Sequence, residues 1–405
     1  MKVLQVHAVD ERGGAAKVAK ELNERLNERE GVDADLLVGD KETESDDVIN
    51  LKQGLVERTL THAIERVLSL DGLGAPTSLT VPRMVSKQDY DIVHLHNIHG
   101  GYFNFLNVPR LIGSVPLVWT LHDMWPFTGN CTFSFDCERF TGSCGSCPHL
   151  DDYPPIRFDT TQLLLSLKTR LFDAGEVTMV GNSDWTTRHV VESRLKNVET
   201  TTINNGIDVE RYAPRPPPVA RSKFDIDPGK KTVLFISGNL GDKRKGASYL
   251  ARALDHAGAG KDVALLAVGG GILPNEYIPD AVDVHTPGYV SPDKMPFAYS
   301  AADVCAIPSF GETFPLTSLE AMACETPVVA FAVGGLTEQL NEDVGWLVEP
   351  GDAEELAAVL KEVMTDEEVV EAKSERARNR VQSQFSSTGM VESYLDLYKE
   401  RLDTW

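Results

Sequence analysis

The sequence predicts an α/β protein built as two doubly wound, parallel-sheet domains in tandem, and three observations predict it. At 405 residues the chain is too long for one ordinary hydrophobic core and suits two domains of usual size. Short β-rich runs ending in Gly, Asn, Asp or Ser alternate with helical stretches from end to end, the grammar of repeated βα units. Runs such as TVLFIS (232–237) and PVVAF (327–331) are apolar throughout, as strands covered by helices on both faces must be.

The first array places strands at 2–8, 34–38, 91–96, 116–121, 177–181 and 200–204, with helices near 14–28, 160–173 and 184–195. Prolines crowd Tyr212–Ala220. Proline excludes helix and ladder pairing in an element's interior, so the stretch reads as a stiff connector. The expected organisation is a first domain over 1–213, a connector over 214–220 and a second domain over 221–385. The amphipathic helix of 386–405 is expected to pack back on the first domain. The second array has strands at 232–237, 263–268, 282–286, 303–307 and 327–331, and helices near 246–257, 292–301, 315–324 and 352–364. Doubly wound sheets take ligands beyond the carboxyl ends of their strands. A cleft between two of them, closing by a hinge at the connector, is therefore the expected site.

Acidic side chains number 61 against 39 basic ones, a formal net charge of −22. Such a field repels nucleic acids and anionic surfaces, and the longest basic run is Lys243-Arg244-Lys245. No stretch approaches the ~18 apolar residues needed to span a bilayer. No signal peptide precedes the first strand, so the expectation is a cytoplasmic chain with no nucleic-acid partner and no transmembrane segment. Six cysteines are too few for a disulfide framework in a chain of this size.

The most informative stretch is Pro308–Ala323. A strand ends at Ser309, the next loop carries Glu312, and Pro315 suits the first position of a helix that contains Glu320. That helix start offers free N–H groups at Leu316 and Thr317, and its positive dipole end, to an anion such as phosphate. Two carboxylates so placed accept hydrogen bonds from different parts of one polyhydroxy ligand. Each acid taken alone reads more readily as solvated surface, and the Gly-Glu-Thr-Phe-Pro context of the loop lowers the weight of that reading.

Gly13-Gly14 permits close backbone approach to a ligand, or simply a tight strand-to-helix turn. The full Gly-x-Gly-x-x-Gly is missing, which argues against a dinucleotide cofactor. Lys243-Arg244-Lys245 reads as a phosphate-neutralising loop or as an exposed basic turn. His122-Asp123 terminates the apolar run PLVWTL. His94, His96 and His99 end another strand, as acceptor-pocket lining, metal ligands or strand-end groups with local partners. Cys131, Cys137, Cys144 and Cys147 lie in one Gly- and aromatic-rich loop. They read as a structural zinc knot, reduced thiols or disulfides. Asp33-Ala-Asp35 and Asp225-Ile-Asp227 read as solvated acids, so no catalytic divalent metal is expected.

These motifs together resemble family 4 of the retaining glycosyltransferases, whose fold is GT-B: two Rossmann-like domains facing each other. The resemblance rests on Glu312-x7-Glu320 after a Pro-Ser strand end, Gly13-Gly14, Leu121-His-Asp123, Asn205-Gly-Ile-Asp208, Lys243-Arg-Lys-Gly246, Gly288-Tyr-Val290, Ala302-Asp-Val304 and Gly334-Gly335. It implies transfer of a hexose-type sugar from a nucleoside-diphosphate donor to a hydroxyl acceptor, as in polysaccharide or glycoconjugate synthesis. The nucleotide-sugar is then a co-substrate and catalysis requires no cofactor. The acceptor is a glycan, a lipid or a small molecule, and a lipid-linked one would hold the enzyme peripherally at a membrane.

By the same resemblance Glu312 contacts the donor sugar, Glu320 the ribose and Lys245 the diphosphate. Asn239 stands where relatives usually carry an arginine, and Arg244 is the candidate replacement. Gly13, Gly14, Tyr289, Phe314, Leu316 and Thr317 complete the expected donor site. His122 reaches the sugar near its reacting carbon, and Asp123 orients that imidazole or meets the acceptor. The cysteine loop (124–158) follows His-Asp directly, as in one subgroup, and would shape the acceptor side. The rival readings are a sugar-nucleotide epimerase of similar architecture and a non-catalytic sugar-nucleotide or partner-binding module.

Overall fold

The computed structural model describes residues 1–172, 175–279 and 281–405. The chain is α/β and divides into two compact units, the first made of 1–204 with 390–405 and the second of 205–389. In the first unit the strands are β1 (Lys2–Val9), β2 (Asp33–Asp40), β3 (Val48–Asn50), β4 (Ile92–Leu95), β5 (Leu117–Leu121), β6 (Val177–Gly181) and β7 (Glu199–Thr202). All pair in parallel, in the order β3-β2-β1-β4-β5-β6-β7. In the second the strands are β8 (Lys231–Asn239), β9 (Val263–Gly270), β10 (Asp283–Gly288), β11 (Val304–Ile307), β12 (Val328–Phe331) and β13 (Gly345–Val348). Again all are parallel, ordered β10-β9-β8-β11-β12-β13.

Each sheet reverses its winding once, between β1 and β4 and between β8 and β11. The reversal opens a crevice above the carboxyl ends of those strands, where ligands of such folds sit. Strand β4 is buried throughout, as is β11, because crossover helices cover both faces. Strand β3 and β13 were not expected from the sequence. The first is three residues long, and the second starts at a glycine, so neither shows a readable period.

The chain passes between units at 204/205, ahead of the proline-rich stretch. Ile207 and Tyr212 already pack in the second unit's core, and Ile207 bridges to Ser386. The connector reading of 214–220 is corrected: Pro217–Ser222 is a short helix with Pro216 as its N-cap. Proline is harmless there because first-turn N–H groups have no intrahelical acceptor to lose. Pro315 likewise is the N-cap, not the first helical residue, of Leu316–Ala323. The expected helix 160–173 is observed as Thr161–Phe172; residue 173 lies outside the described residues. The last helix is Ser387–Thr404, and from Met390 onward it belongs to the first unit.

Candidate functional site

The crevice of the second unit is built by two glycine-dependent close approaches. Gly246 (φ 73°) follows Lys245, and a Cβ there would lie 1.8 Å from the Pro308 carbonyl oxygen at the end of β11. The Phe310 amide donates to the Arg244 carbonyl at 2.8 Å. On the other side a Cβ at Gly334 (φ 50°) would lie 1.8 Å from the Glu312 carbonyl oxygen, and the Gly335 amide donates to that oxygen at 3.2 Å. The loop carrying Glu312 is thus clamped between two backbones. The result is an ion pair, Lys245 Nζ to Glu312 Oε1 at 2.5 Å, with the two side chains 28% and 14% exposed. Both stand beyond the carboxyl ends of β8 and β11.

Around this pair the structure sorts the remaining expected residues. Asn239 closes β8 and turns its side chain onto its own turn, Oδ1 accepting from the Gly241 amide at 3.0 Å. Arg244 is engaged by Asp242 at 2.8 Å, so the proposed substitute charge is compensated locally. The helix at Leu316 begins without a side-chain cap, and Leu316 and Thr317 are half-buried. Phe314 is not open to a ligand: it is 3% exposed and packs on Phe385 at a ring distance of 5.5 Å. An aromatic side chain between a loop and a helix start buries more apolar area than the loop alone could cover. Tyr289, 69% exposed, follows the edge strand β10, three strands from β11.

Glu320 departs from the expectation of a carboxylate open to a ligand. It is 3% exposed, and Oε2 accepts the Tyr299 hydroxyl at 2.6 Å. Tyr212 hydrogen-bonds to it as well. Both phenols shift upward, first through burial and then through this carboxylate. The surface reading of Glu320 is therefore overturned. Tyr299, twenty-one residues away, carries no signal in the sequence that would announce this partnership.

In the first unit the crevice holds histidines. His122 Nε2 meets His96 Nδ1 at 2.9 Å, and His96 Nε2 meets Gln5 Oε1 at 2.9 Å. Beneath them His94 bonds to Tyr398 at 2.6 Å and Thr120 at 2.7 Å, and Thr120 to Tyr394 at 2.6 Å. Local partners thus account for His94 and His96. Among the described residues no group of three or more His, Cys, Asp or Glu side chains could hold a metal ion. Asp123 does not spend its carboxylate on His122: Oδ2 meets His99 Nε2 at 2.8 Å and Oδ1 accepts the Trp125 amide at 2.9 Å. Both residues lie just past the end of β5, where the chain bends, and the two neighbours serve different partners. Gly13 (φ 94°) caps the first helix with nothing within 4 Å of an added Cβ, and Gly13-Gly14 is exposed.

Burial keeps four of these imidazoles neutral. It is the leading cause that lowers His7 to about 4 and His122 to about 3, and His94 and His96 also fall well below the usual range. All four folded values lie under the unfolded 6.5. The unfolded chain therefore binds more protons below that pH, and their contribution to stability, present above pH 6.5, is lost as pH falls. At pH 5, His7 and His122 each contribute a loss of about 2 kcal/mol. His99 works oppositely: burial disfavours its charge, but Asp123 outweighs burial and raises it, so its share is lost as pH rises. Four outweigh one. The melting midpoint is expected to drop between pH 7 and pH 5, and a midpoint that holds or climbs over that range contradicts this account.

The four loop cysteines are free and line one cavity of about 20 Å³ with His149. Burial is the main cause that pushes Cys131 up to about 12 and raises Cys144 and Cys147. The loop is also held by Lys168. This buried lysine donates to the Trp125 carbonyl at 2.7 Å and sits 3.4 Å over the Trp125 ring. Sequence reasoning also missed a cavity of about 300 Å³ beside the ends of β1 and β2, walled by Gly39, Arg58, Thr61, Glu65, Gly101 and Tyr102 among others. Burial and then Asp71 raise Glu65 there to about 8, so this carboxyl is a hydrogen-bond donor at neutral pH.

Known proteins share both the sequence pattern and the fold. Residues 230–366 match the family of group 1 glycosyl transferases, and residues 12–211 match glycosyltransferase family 4. Both halves being matched, the chain belongs to the group 1 glycosyltransferases. Among curated relatives, the putative colanic acid biosynthesis glycosyl transferase WcaC of Escherichia coli K12 is 24% identical, over 98% of this chain and all of its own. Among solved structures, sucrose-phosphate synthase from Thermosynechococcus elongatus superposes with a TM-score of 0.75 at 21% identity over the whole of both chains. Anabaena HepE in complex with UDP-glucose superposes with a TM-score of 0.70 at 19% identity, again over both whole chains. The fold is GT-B.

Proposed function

We propose that the chain is a retaining glycosyltransferase that moves a hexose-type sugar from a nucleoside-diphosphate donor to a hydroxyl acceptor in polysaccharide or glycoconjugate synthesis. The observation that carries this reading is the Lys245–Glu312 ion pair beyond the switch point of the second sheet. An ammonium there meets the charge that develops on a departing diphosphate. The uncapped start of the helix at Leu316 adds N–H groups and a positive dipole end. Glu312, freed from Lys245 when the diphosphate takes its place, accepts hydrogen bonds from the sugar hydroxyls. Glu320, buried and held by Tyr299 and Tyr212, steadies the helix begun at Leu316 and is not assigned a ligand contact.

In this reading His122 serves the reacting carbon as a neutral imidazole, and the acceptor oxygen attacks the face from which the diphosphate leaves. The C–O bond to the acceptor forms as the bond to the leaving phosphate breaks, and that phosphate takes the acceptor proton. The cavity beside β1 and β2 is the proposed acceptor pocket, with a neutral Glu65 and Arg58 as polar contacts. WcaC, named for colanic acid biosynthesis, supports a glycan product, and HepE with UDP-glucose favours a uridine donor.

The test is a panel of UDP-, GDP-, ADP- and dTDP-glucose, read by thermal unfolding and by release of nucleoside diphosphate. One nucleotide is expected to raise the midpoint and to undergo slow hydrolysis. If none of the four does either, the reading fails. An epimerase would release the diphosphate at full rate with no acceptor added.

A further inference from the structure

We infer that Asp47, Asn23, Gln5 and His96 are positioning residues: a chain of four hydrogen bonds through them fixes which nitrogen of His122 carries the proton. The chain starts at the half-buried Asp47. It crosses the interior of the first unit, where Asn23, Gln5 and His96 are 1%, 0% and 1% exposed, and ends on the half-buried His122. Asn23 lies on the first helix, Gly14–Asn27, and Gln5 in β1. His96 stands one residue beyond β4, and His122 one beyond β5. Apolar side chains at positions 5 and 23 would bury as well and need no partners, so packing alone does not call for two amides there.

The chain can run in one direction only. A carboxylate accepts and does not donate, so the Asn23 amide nitrogen faces Asp47, at 2.7 Å. That turns Asn23 Oδ1 to Gln5, whose amide nitrogen donates to it at 3.1 Å. Gln5 Oε1 then faces His96 Nε2 at 2.9 Å and must accept, which puts the proton of that ring on Nε2. Burial holds both His96 and His122 neutral at pH 7, and a neutral imidazole has one N–H. In the 2.9 Å contact between the two rings His96 Nδ1 is therefore the acceptor and His122 Nε2 the donor. The tautomer of an imidazole is set by the bond its other nitrogen makes. Here that bond is anchored, through three buried side chains, on a carboxylate. His122 Nδ1 is left as the lone-pair nitrogen. Any group that meets it there must donate, as a sugar hydroxyl does and an ionised phosphate oxygen cannot.

The part His122 plays in transfer rests on the proposed function, whereas its tautomer is read without donor or acceptor. Nitrogen-15 NMR of the full chain labelled at histidine reads it, with His122 identified by its absence from His122→Ala. The wild-type ring is expected to carry its proton on Nε2 at pH 7. Gln5→Met, of similar volume, takes the acceptor away from His96. The His96 proton is then expected to move to Nδ1 and His122 to follow, with its own proton on Nδ1. The kcat for release of nucleoside diphosphate should fall about tenfold or more at an unchanged donor KM. Gln5→Glu still accepts from His96, and it is expected to restore the Nε2 tautomer and most of kcat. Asp47→Ala, at the half-buried end of the chain, replaces Gln5→Met if that variant does not fold, and is expected to leave His122 as a mixture of both tautomers. A wild-type His122 protonated on Nδ1, a tautomer that neither variant moves, or a loss of kcat in Gln5→Met with the tautomer intact overturns the proposal. If the tautomers behave as expected and no nucleotide is turned over, the positioning stands and the transferase reading fails.

Discussion

Glu312→Gln is expected to cut sugar transfer by about 10²–10³-fold while the melting midpoint barely moves. Glutamine keeps the side chain's length and can occupy the same clamped loop, because that loop is held through backbone atoms: the Glu312 carbonyl against Gly334 and Gly335. What disappears is a charge. In the resting enzyme the carboxylate neutralises Lys245 at 2.5 Å, so the variant presents an ammonium with no competitor. Donor affinity should therefore hold or tighten even as kcat collapses, a split that a merely structural glutamate would not give. Lys245→Met should do the converse and raise the donor KM. Steady-state release of nucleoside diphosphate at several donor concentrations measures both constants. A Glu312→Gln enzyme within about threefold of wild type would remove this residue from the chemistry.

His122→Ala comes next, with an expected fall of about 10²-fold in kcat. Its imidazole is kept neutral by burial, with repulsion from His7 in support, at a pKa of about 3. The loss should accordingly be the same at every pH from 5 to 8, and the shape of the pH–rate profile should not change. A profile whose acid limb vanishes in the variant would mean that His122 titrates as the catalytic base, and the neutral role assigned to it would be wrong. Alanine also deprives His96 of its 2.9 Å partner. An unpaired buried nitrogen costs on the order of 1–3 kcal/mol, so a modest drop in melting midpoint should accompany the kinetic effect.

How much of this could be read from the sequence depends on the range of the interaction. Apolar runs and glycine breaks are local, and they placed eleven strands and the loop that carries Glu312. Pairings between distant residues leave no such trace. The Tyr299–Glu320 bond, the burial of Phe314 against Phe385 and the Asp123–His99 bond each join residues that no spacing rule connects. Asp242 was overlooked beside Arg244 because a charge run draws attention to its sign and away from its compensator. The prolines at 216–218 misled because their effect depends on whether they fall in a helix's first turn or in its interior, which only the boundary decides. Nothing was expected between 38 and 91. The helix at 55–67 has its apolar side outward, so its pattern promises no core.

The first sheet is finished by residues that follow the whole second unit in sequence. Tyr394 and Tyr398, fully buried, complete the hydrogen bonds of Thr120 and His94. A ribosome must therefore have made the chain as far as Tyr398 before the first unit can close over its histidines. During synthesis that unit waits, part-built, while residues 205–389 are made. Nascent chains stalled upstream of codon 390 would carry an open, protonatable histidine core, a natural target for chaperone capture.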